Sequence, residues 1–317
     1  MNYKLAADNL VSPSGAPTVS SQAIELAQRN AIYLGTSSWK YEGWQGMIYH
    51  DHYPSKKSFQ ARCLREYARY FPAVGVDSTF YRLPPPQMIA GLADLTPPDF
   101  KFGLKATEEI TVYKYPTHPR YGRRGGELNP QFLNGQLFVE KFLEPASALG
   151  SKLGPIIFQF AVLPKELVAD GSFLGQLDEF LGRLPPGYQY ATEIRNRQLF
   201  GPPYFTLLRR HGVAHVYSSW SWMPPLGEQL QAPDSRTAEF FVMRLLTPPQ
   251  VVYGDAVEAF FPYTHIQKPQ LEMRDSLIQY LNSAIQAEFP GYVFINNRLE
   301  GAAPLTIAQL LERILAG

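Results

Sequence analysis

From residue 31 onward the chain alternates short apolar runs, each ending in polar residues, with longer segments of helical period. Parallel strands need a long crossover, usually a helix, so this alternation specifies consecutive βα units. The sequence predicts eight strands: Ile32–Thr36, Ala73–Asp77, Phe100–Lys105, Pro155–Phe160, Gln189–Arg195, Val213–Tyr217, Glu239–Leu245 and Tyr292–Asn296. Helical patterns fall at Ser55–Tyr70, Gln131–Leu149, Phe173–Leu184, Pro203–His211, Pro269–Glu288 and Pro304–Ala316. In the first of these, Phe59, Cys63, Leu64 and Tyr67 form one stripe, and Ser55 is placed to cap its N-terminus.

A chain of 317 residues accommodates a complete α/β barrel. No Gly-x-Gly-x-x-Gly follows the first strand, and a final strand near residue 296 suits closure, so a (β/α)8 TIM barrel is preferred to an open doubly wound sheet. The sixth unit is expected to be irregular, because SSWSWMPPLGEQLQAPDSRT is too rich in Pro and polar residues for a regular crossover helix. Residues 1–30 read as a loose leader with one helical turn near Ala23–Gln28, and residues 31–317 as a single barrel domain. Two long irregular stretches, Ala106–Pro130 and Thr247–Thr264, follow strands rather than precede them, as does the sixth-unit stretch. In a barrel all three lie on the face where such enzymes place their sites.

Lys and Arg total 29 against 28 Asp and Glu, which offers no electrostatic footprint for nucleic acid or an anionic membrane. No window approaches the ~20 apolar residues of a membrane helix, and the N-terminal segment lacks the apolar core of a secretion signal, so a cytoplasmic location is expected. The one cysteine, Cys63, excludes an internal disulfide and reads as a small core hydrophobe. His50 and His52 flank Asp51 without a further histidine and carboxylate cluster nearby, so no metal and no cofactor are expected.

Period-two alternation then selects the residues facing the barrel mouth. Asp77 ends the second strand inward, Lys105 ends the third, and Glu193 and Arg195 emerge successively from the fifth. Gln159, Arg244, Asn296 and Asn297 fall late in the fourth, seventh and eighth strands, and Thr36 ends the first. Of the aromatic residues after strand one, Tyr41, Trp44, Tyr49 and Tyr53 read as loop packing, and Trp39, nearest the strand, as a ligand contact, as does Tyr81. The basic run Arg120–Glu127 reads either as a solvated loop or as a lid drawing an anion inward.

The motifs Gly35-Thr36-Ser37-Ser38-Trp39 with Tyr41 and Trp44, Asp77-Ser78-Thr79-Phe80-Tyr81, Lys105-Ala106, Lys152-Leu153-Gly154-Pro155 leading to Phe158-Gln159, Glu193-Ile194-Arg195, and Asn296-Asn297 with Gly301 and Pro304 span the chain from residue 31 to about 315. Together they are similar to those of the YecE-like "domain of unknown function 72" family. The resemblance implies a TIM barrel with its site at the strand ends. The chain departs from the family pattern at Asp77, where Asn is usual, at Asn196-Arg197-Gln198, and at Leu246-Thr247, where a His-Gly usually follows.

The expected function is that of an enzyme acting by acid/base chemistry on a small polar or anionic metabolite, phosphorylated or carboxylated and sugar-like. Such an activity would be that of a metal-independent hydrolase, lyase or isomerase. Arg195 and Arg244 would hold the anion, Glu193 or Asp77 would exchange a proton, and Lys105 would stabilise negative charge or form a Schiff base. Thr36, Trp39, Tyr81, Gln159, Asn296 and Asn297 would orient the substrate. Glycoside hydrolysis through Asp77 and Glu193 is a narrower version. A non-catalytic ligand-binding or regulatory protein is the alternative, and nucleic-acid binding through Arg120, Arg123 and Arg124 ranks last.

Overall fold

The computed structural model describes residues 20–249, 251 and 259–315. Eight parallel strands close into a barrel in sequence order: β1 Ile32–Thr36, β2 Ala73–Val76, β3 Lys101–Lys105, β4 Leu153–Gln159, β5 Tyr190–Glu193, β6 Ala214–Ser219, β7 Phe241–Leu245 and β8 Gly291–Ile295. Closure is made by β1 and β8, which pair over their whole lengths from Ile32 with Gly291 to Thr36 with Ile295. No helix among the described residues is long and apolar enough to cross a membrane.

Two apolar layers follow from the pleat. Outward residues such as Ile32, Leu34, Val74, Val76, Phe102 and Leu104 pack under the helices. Inward residues Ala73, Ile157, Ala191, Ala214, Val216, Val242, Tyr292 and Phe294 fill the interior with Tyr33. Tyr33 stacks on Tyr292 at 5.1 Å between ring centroids, and Tyr292 on Phe294 at 6.3 Å. Phe294 forms the top of this apolar plug, and β3 meets it with a glycine. A Cβ at Gly103 would lie 2.5 Å from the ring.

The outer helices begin as their sequences dictate. Ser55 accepts the Ser58 amide at 3.1 Å and opens the helix Lys56–Tyr67; Pro202 opens Pro202–Arg210. Within Lys56–Tyr67, Cys63 is buried, and burial pushes its thiol up to about 12, which suits a core residue rather than a reactive thiolate. The long pattern at Gln131–Leu149 forms a helix from Gly135 to Ser147 interrupted by a π turn at Val139–Leu143.

Two elements depart from the sequence reading. The segment before β1 carries a full helix, Gln22–Asn30, whose Ala23, Leu26 and Ala27 are buried, where one turn was expected. Another helix, Pro86–Asp94, follows β2 and buries Ile89 and Leu92. The sixth unit is irregular as expected, with only the six-residue helix Leu226–Gln231 after β6. Gln229 on that helix compensates: it accepts the Ser218 amide at 3.1 Å and donates to the Ser218 carbonyl at 2.8 Å and the Pro224 carbonyl at 2.6 Å. One buried side chain thus satisfies backbone groups that a longer helix would have shielded.

Candidate functional site at the carboxyl ends of the strands

Strand parity brings five of the predicted residues together above Phe294. Arg244, from β7, donates Nη1 to Glu193 Oε2 at 2.5 Å and Nη2 to Asp77 Oδ1 at 2.8 Å. Arg195 lies beside the other carboxylate oxygen, Nη2 to Glu193 Oε1 at 2.5 Å, as an ion pair outside hydrogen-bond alignment. Gln159 Oε1 accepts from Arg195 Nη2 at 3.2 Å and from Arg244 Nη1 at 3.5 Å. Residues at the carboxyl ends of β2, β4, β5 and β7 therefore join in one network across the mouth.

Its electrostatics follow from burial. Burial alone would raise the Glu193 carboxyl, but the guanidiniums of Arg195 and Arg244 outweigh it and hold the group below its ordinary value. Burial likewise lowers Arg195, to about 10, so it stays charged at neutral pH. Arg244 moves the other way: burial opposes its charge, yet Glu193 and Asp77 together raise it.

Lys105 is the exception. It is 8% exposed, and no ion pair to it forms among the described residues, because Asp77 and Glu193 are both engaged by arginines. Its Nζ lies 3.7 Å from the centroid of the Phe80 ring. Burial lowers its pKa to about 7, with Asp77 opposing and Arg244 adding to the shift.

The remaining predicted residues lie as follows. Thr36 turns outward, its hydroxyl 2.6 Å from the Ser38 carbonyl and 2.9 Å from Tyr67 Oη; the inward position at this end of β1 belongs to Ser37. Asn296 accepts the Arg298 amide at 3.0 Å and caps the short helix Asn297–Glu300, while Asn297 accepts the Ala303 amide at 2.8 Å. Both therefore hold the turn after β8. Trp39 is buried, and its carbonyl accepts from the Tyr49 hydroxyl. Trp44 and Tyr49 are buried too, and with Tyr53 their rings pack against one another and Phe59, as expected of loop packing. Tyr81 is 54% exposed beneath Arg120, whose guanidinium lies 4.4 Å from its ring. Arg120 also pairs with Glu108, so this part of the basic run is anchored. The rim stretch Thr247–Thr264 lies partly outside the described residues.

Several participants were not foreseen. Trp220, just past β6, covers Arg195 with its ring centroid 3.8 Å from the guanidinium carbon. The only sequence signal was an aromatic residue at a strand end. At the carboxyl ends of five strands, buried donors lack hydrogen-bond partners: the Ser37 hydroxyl, Trp39 Nε1, Arg195 Nη1, the Ser218 and Thr247 hydroxyls, and Asn297 Nδ2. Donors in this situation are costly unless something accepts from them.

The architecture has solved counterparts. A protein of the DUF72 family from Thermotoga maritima superposes with a TM-score of 0.60 at 21% identity, covering 89% of this chain and 99% of that one. A second, from Enterococcus faecalis, gives 0.57 at 18% identity over 91% and 98%. Among curated proteins, UPF0759 protein YecE of Escherichia coli is 28% identical over 171 residues, 53% of this chain and 50% of that protein. UPF0759 protein YunF of Bacillus subtilis is 30% identical over 178 residues, 55% and 54%. The chain thus matches about half the length of these relatives. Residues 33–316 match the family described as "Protein of unknown function DUF72", and the chain belongs to that family.

Proposed function

We propose that the strand-end face receives a small, acceptor-rich anionic metabolite, phosphorylated or carboxylated and sugar-like, and acts on it by acid/base chemistry. The observation that carries this reading is Arg195 Nη1, a buried guanidinium nitrogen without a partner on a side chain otherwise fixed by Glu193, Gln159 and Trp220. A phosphate or carboxylate oxygen is the natural acceptor for it. Apart from Glu193 Oε1, which lies against Arg195, the other groups at the mouth without hydrogen-bond partners are hydroxyls and N–H donors, which suit the same ligand.

Roles divide by environment. Glu193, fully buried between two guanidiniums, holds them in place and is poorly suited to exchanging a proton. Asp77, with a side chain 32% exposed, is the carboxylate open to a ligand. Lys105, with a pKa near 7, can give or take a proton at neutral pH. Because Arg244 bridges Asp77 and Glu193, neither carboxylate stands free as the acid a glycosidase requires.

Calorimetric titration with glucose 6-phosphate, gluconate and glucose tests the reading. The two anions should bind and glucose should not, and Arg195→Met should weaken anion binding about tenfold to a hundredfold, the loss of one charge-assisted hydrogen bond. Equal affinity for glucose and the anions, or anion binding indifferent to Arg195→Met in a folded variant, refutes it. The same network supports a second reading, ligand sensing, because both its carboxylates are already paired. Recovery of the ligand chemically unchanged after prolonged incubation distinguishes sensing from turnover.

A further inference from the structure

We infer that Lys105 forms a covalent imine with an oxo compound that carries a carboxylate or phosphate, the anionic group being held by Arg195. The inference rests on the anion-site reading above and adds to it the class of substrate. Its basis is placement. A buried lysine is normally paired with a carboxylate. Here the two nearby carboxylates serve arginines, and the amine lies against the Phe80 ring at the carboxyl end of β3, where the charges of Arg244 and Arg195 both act on it. Cationic and apolar neighbours of this kind are what make a lysine nucleophilic.

The amine's depressed pKa agrees with the placement. An ordinary lysine holds only roughly a thousandth of its amine unprotonated at pH 7. Lys105, pushed to about 7, holds a large share.

The step balances without an oxidant or reductant. The Nζ lone pair bonds to the carbonyl carbon, the carbonyl π pair moves to oxygen, and the oxygen takes up the proton that nitrogen releases. The hydroxyl then leaves as water after taking a second proton from solvent, while the remaining nitrogen lone pair closes the C=N bond. The resulting iminium adds positive charge beside two arginines, and the substrate's own anion offsets it. This is why the oxo compound must be anionic.

Trapping with sodium cyanoborohydride tests the inference, since hydride delivered to the imine carbon fixes it as a secondary amine. The full chain is incubated with pyruvate, with glyceraldehyde 3-phosphate, or with neutral acetone, then read by intact mass and peptide mapping. The expected result is a single adduct at Lys105 with the two anionic probes, forming faster above pH 7 than below, absent from Lys105→Met, and slowed at least tenfold by excess inorganic phosphate or by Arg195→Met. Labelling spread over surface lysines, acetone labelling Lys105 as fast as pyruvate, or indifference to both phosphate and Arg195→Met overturns it. Calorimetry with pyruvate on the same preparation separates the two claims. Binding without trapping rejects the imine and leaves the anion site standing; neither binding nor trapping rejects both.

Discussion

Glu193 on β5 and Arg244 on β7 meet over the barrel mouth, Oε2 to Nη1 at 2.5 Å, although β6 separates their strands in the sheet. The contact works as a brace. It fixes Arg244 so that its other nitrogen reaches Asp77 at 2.8 Å, and it leaves Glu193 Oε1 for Arg195. One fully buried carboxylate thereby orients two cations, and it does so at a cost in solvation that only their charge offsets.

Removing that charge should therefore be expensive. Glu193→Gln preserves shape but strands two buried guanidiniums, and we expect a loss of about 3–5 kcal/mol in unfolding free energy. Urea denaturation at neutral pH measures it. A loss below about 1 kcal/mol, the range of a surface pair, would show that the network is solvated rather than buried.

The burial of Lys105 gives stability a pH signature. Its folded pKa, about 7, lies below its ordinary 10.5, so between those values the unfolded chain binds more protons and stability rises with pH. The penalty is fully present below pH 7 and relieved toward 10.5, a span worth roughly 5 kcal/mol. Lys105→Met should be more stable than the wild type at pH 6, with the difference shrinking as pH rises. A difference that stays constant from pH 6 to 10 would contradict the assignment.

On the outer side of β6, His215 behaves in the opposite pH range. Its ring lies among Phe200, Tyr204, Phe205 and Tyr217, with neither nitrogen in hydrogen-bond alignment, and burial lowers its pKa to about 3 despite the opposing pull of Glu193. Neutral when folded and charged when unfolded, it removes stability as pH falls from 6.5 toward 3. His215→Phe should match the wild type within about 1.5 kcal/mol at pH 7, as volume-conserving core swaps do, and lose less on acidification. Parallel acid-unfolding curves for the two proteins would be evidence against a neutral buried imidazole.

The plug under the site makes a steric prediction. Gly103→Ala places a methyl 2.5 Å from the Phe294 ring, so overpacking should cost about 1–3 kcal/mol. Combining it with Phe294→Leu should recover part of the loss. If the double variant is as unstable as the sum of the singles, the two positions are not in contact.

The sequence carried the barrel and the convergence of Asp77, Lys105, Glu193, Arg195 and Arg244, because both depend on period: eight apolar runs make the strands, and alternation decides which side chains turn inward. Thr36 shows the limit of using strand ends without parity. In Ile32-Tyr33-Leu34-Gly35-Thr36-Ser37, Thr36 shares the face of Ile32 and Leu34, and that alternation already pointed to Ser37. The helix Pro86–Asp94 was hidden behind three prolines and a mid-helix glycine, which read as loop until Ile89 and Leu92 find the core. Trp220 was invisible for a different reason. Its role depends on how an irregular, Pro-rich segment returns over Arg195, and no periodicity governs such a segment.

The most direct test of the account is the titration of Lys105 itself, followed by NMR of a 13C label at Cε with and without pyruvate under non-reducing conditions. The free amine should titrate near pH 7, and bound pyruvate should remove that titration from the free-amine position as the imine forms, an effect that Arg195→Met weakens. A resonance titrating near the ordinary lysine value and unmoved by pyruvate would contradict both the buried cationic setting and the anion site built on it.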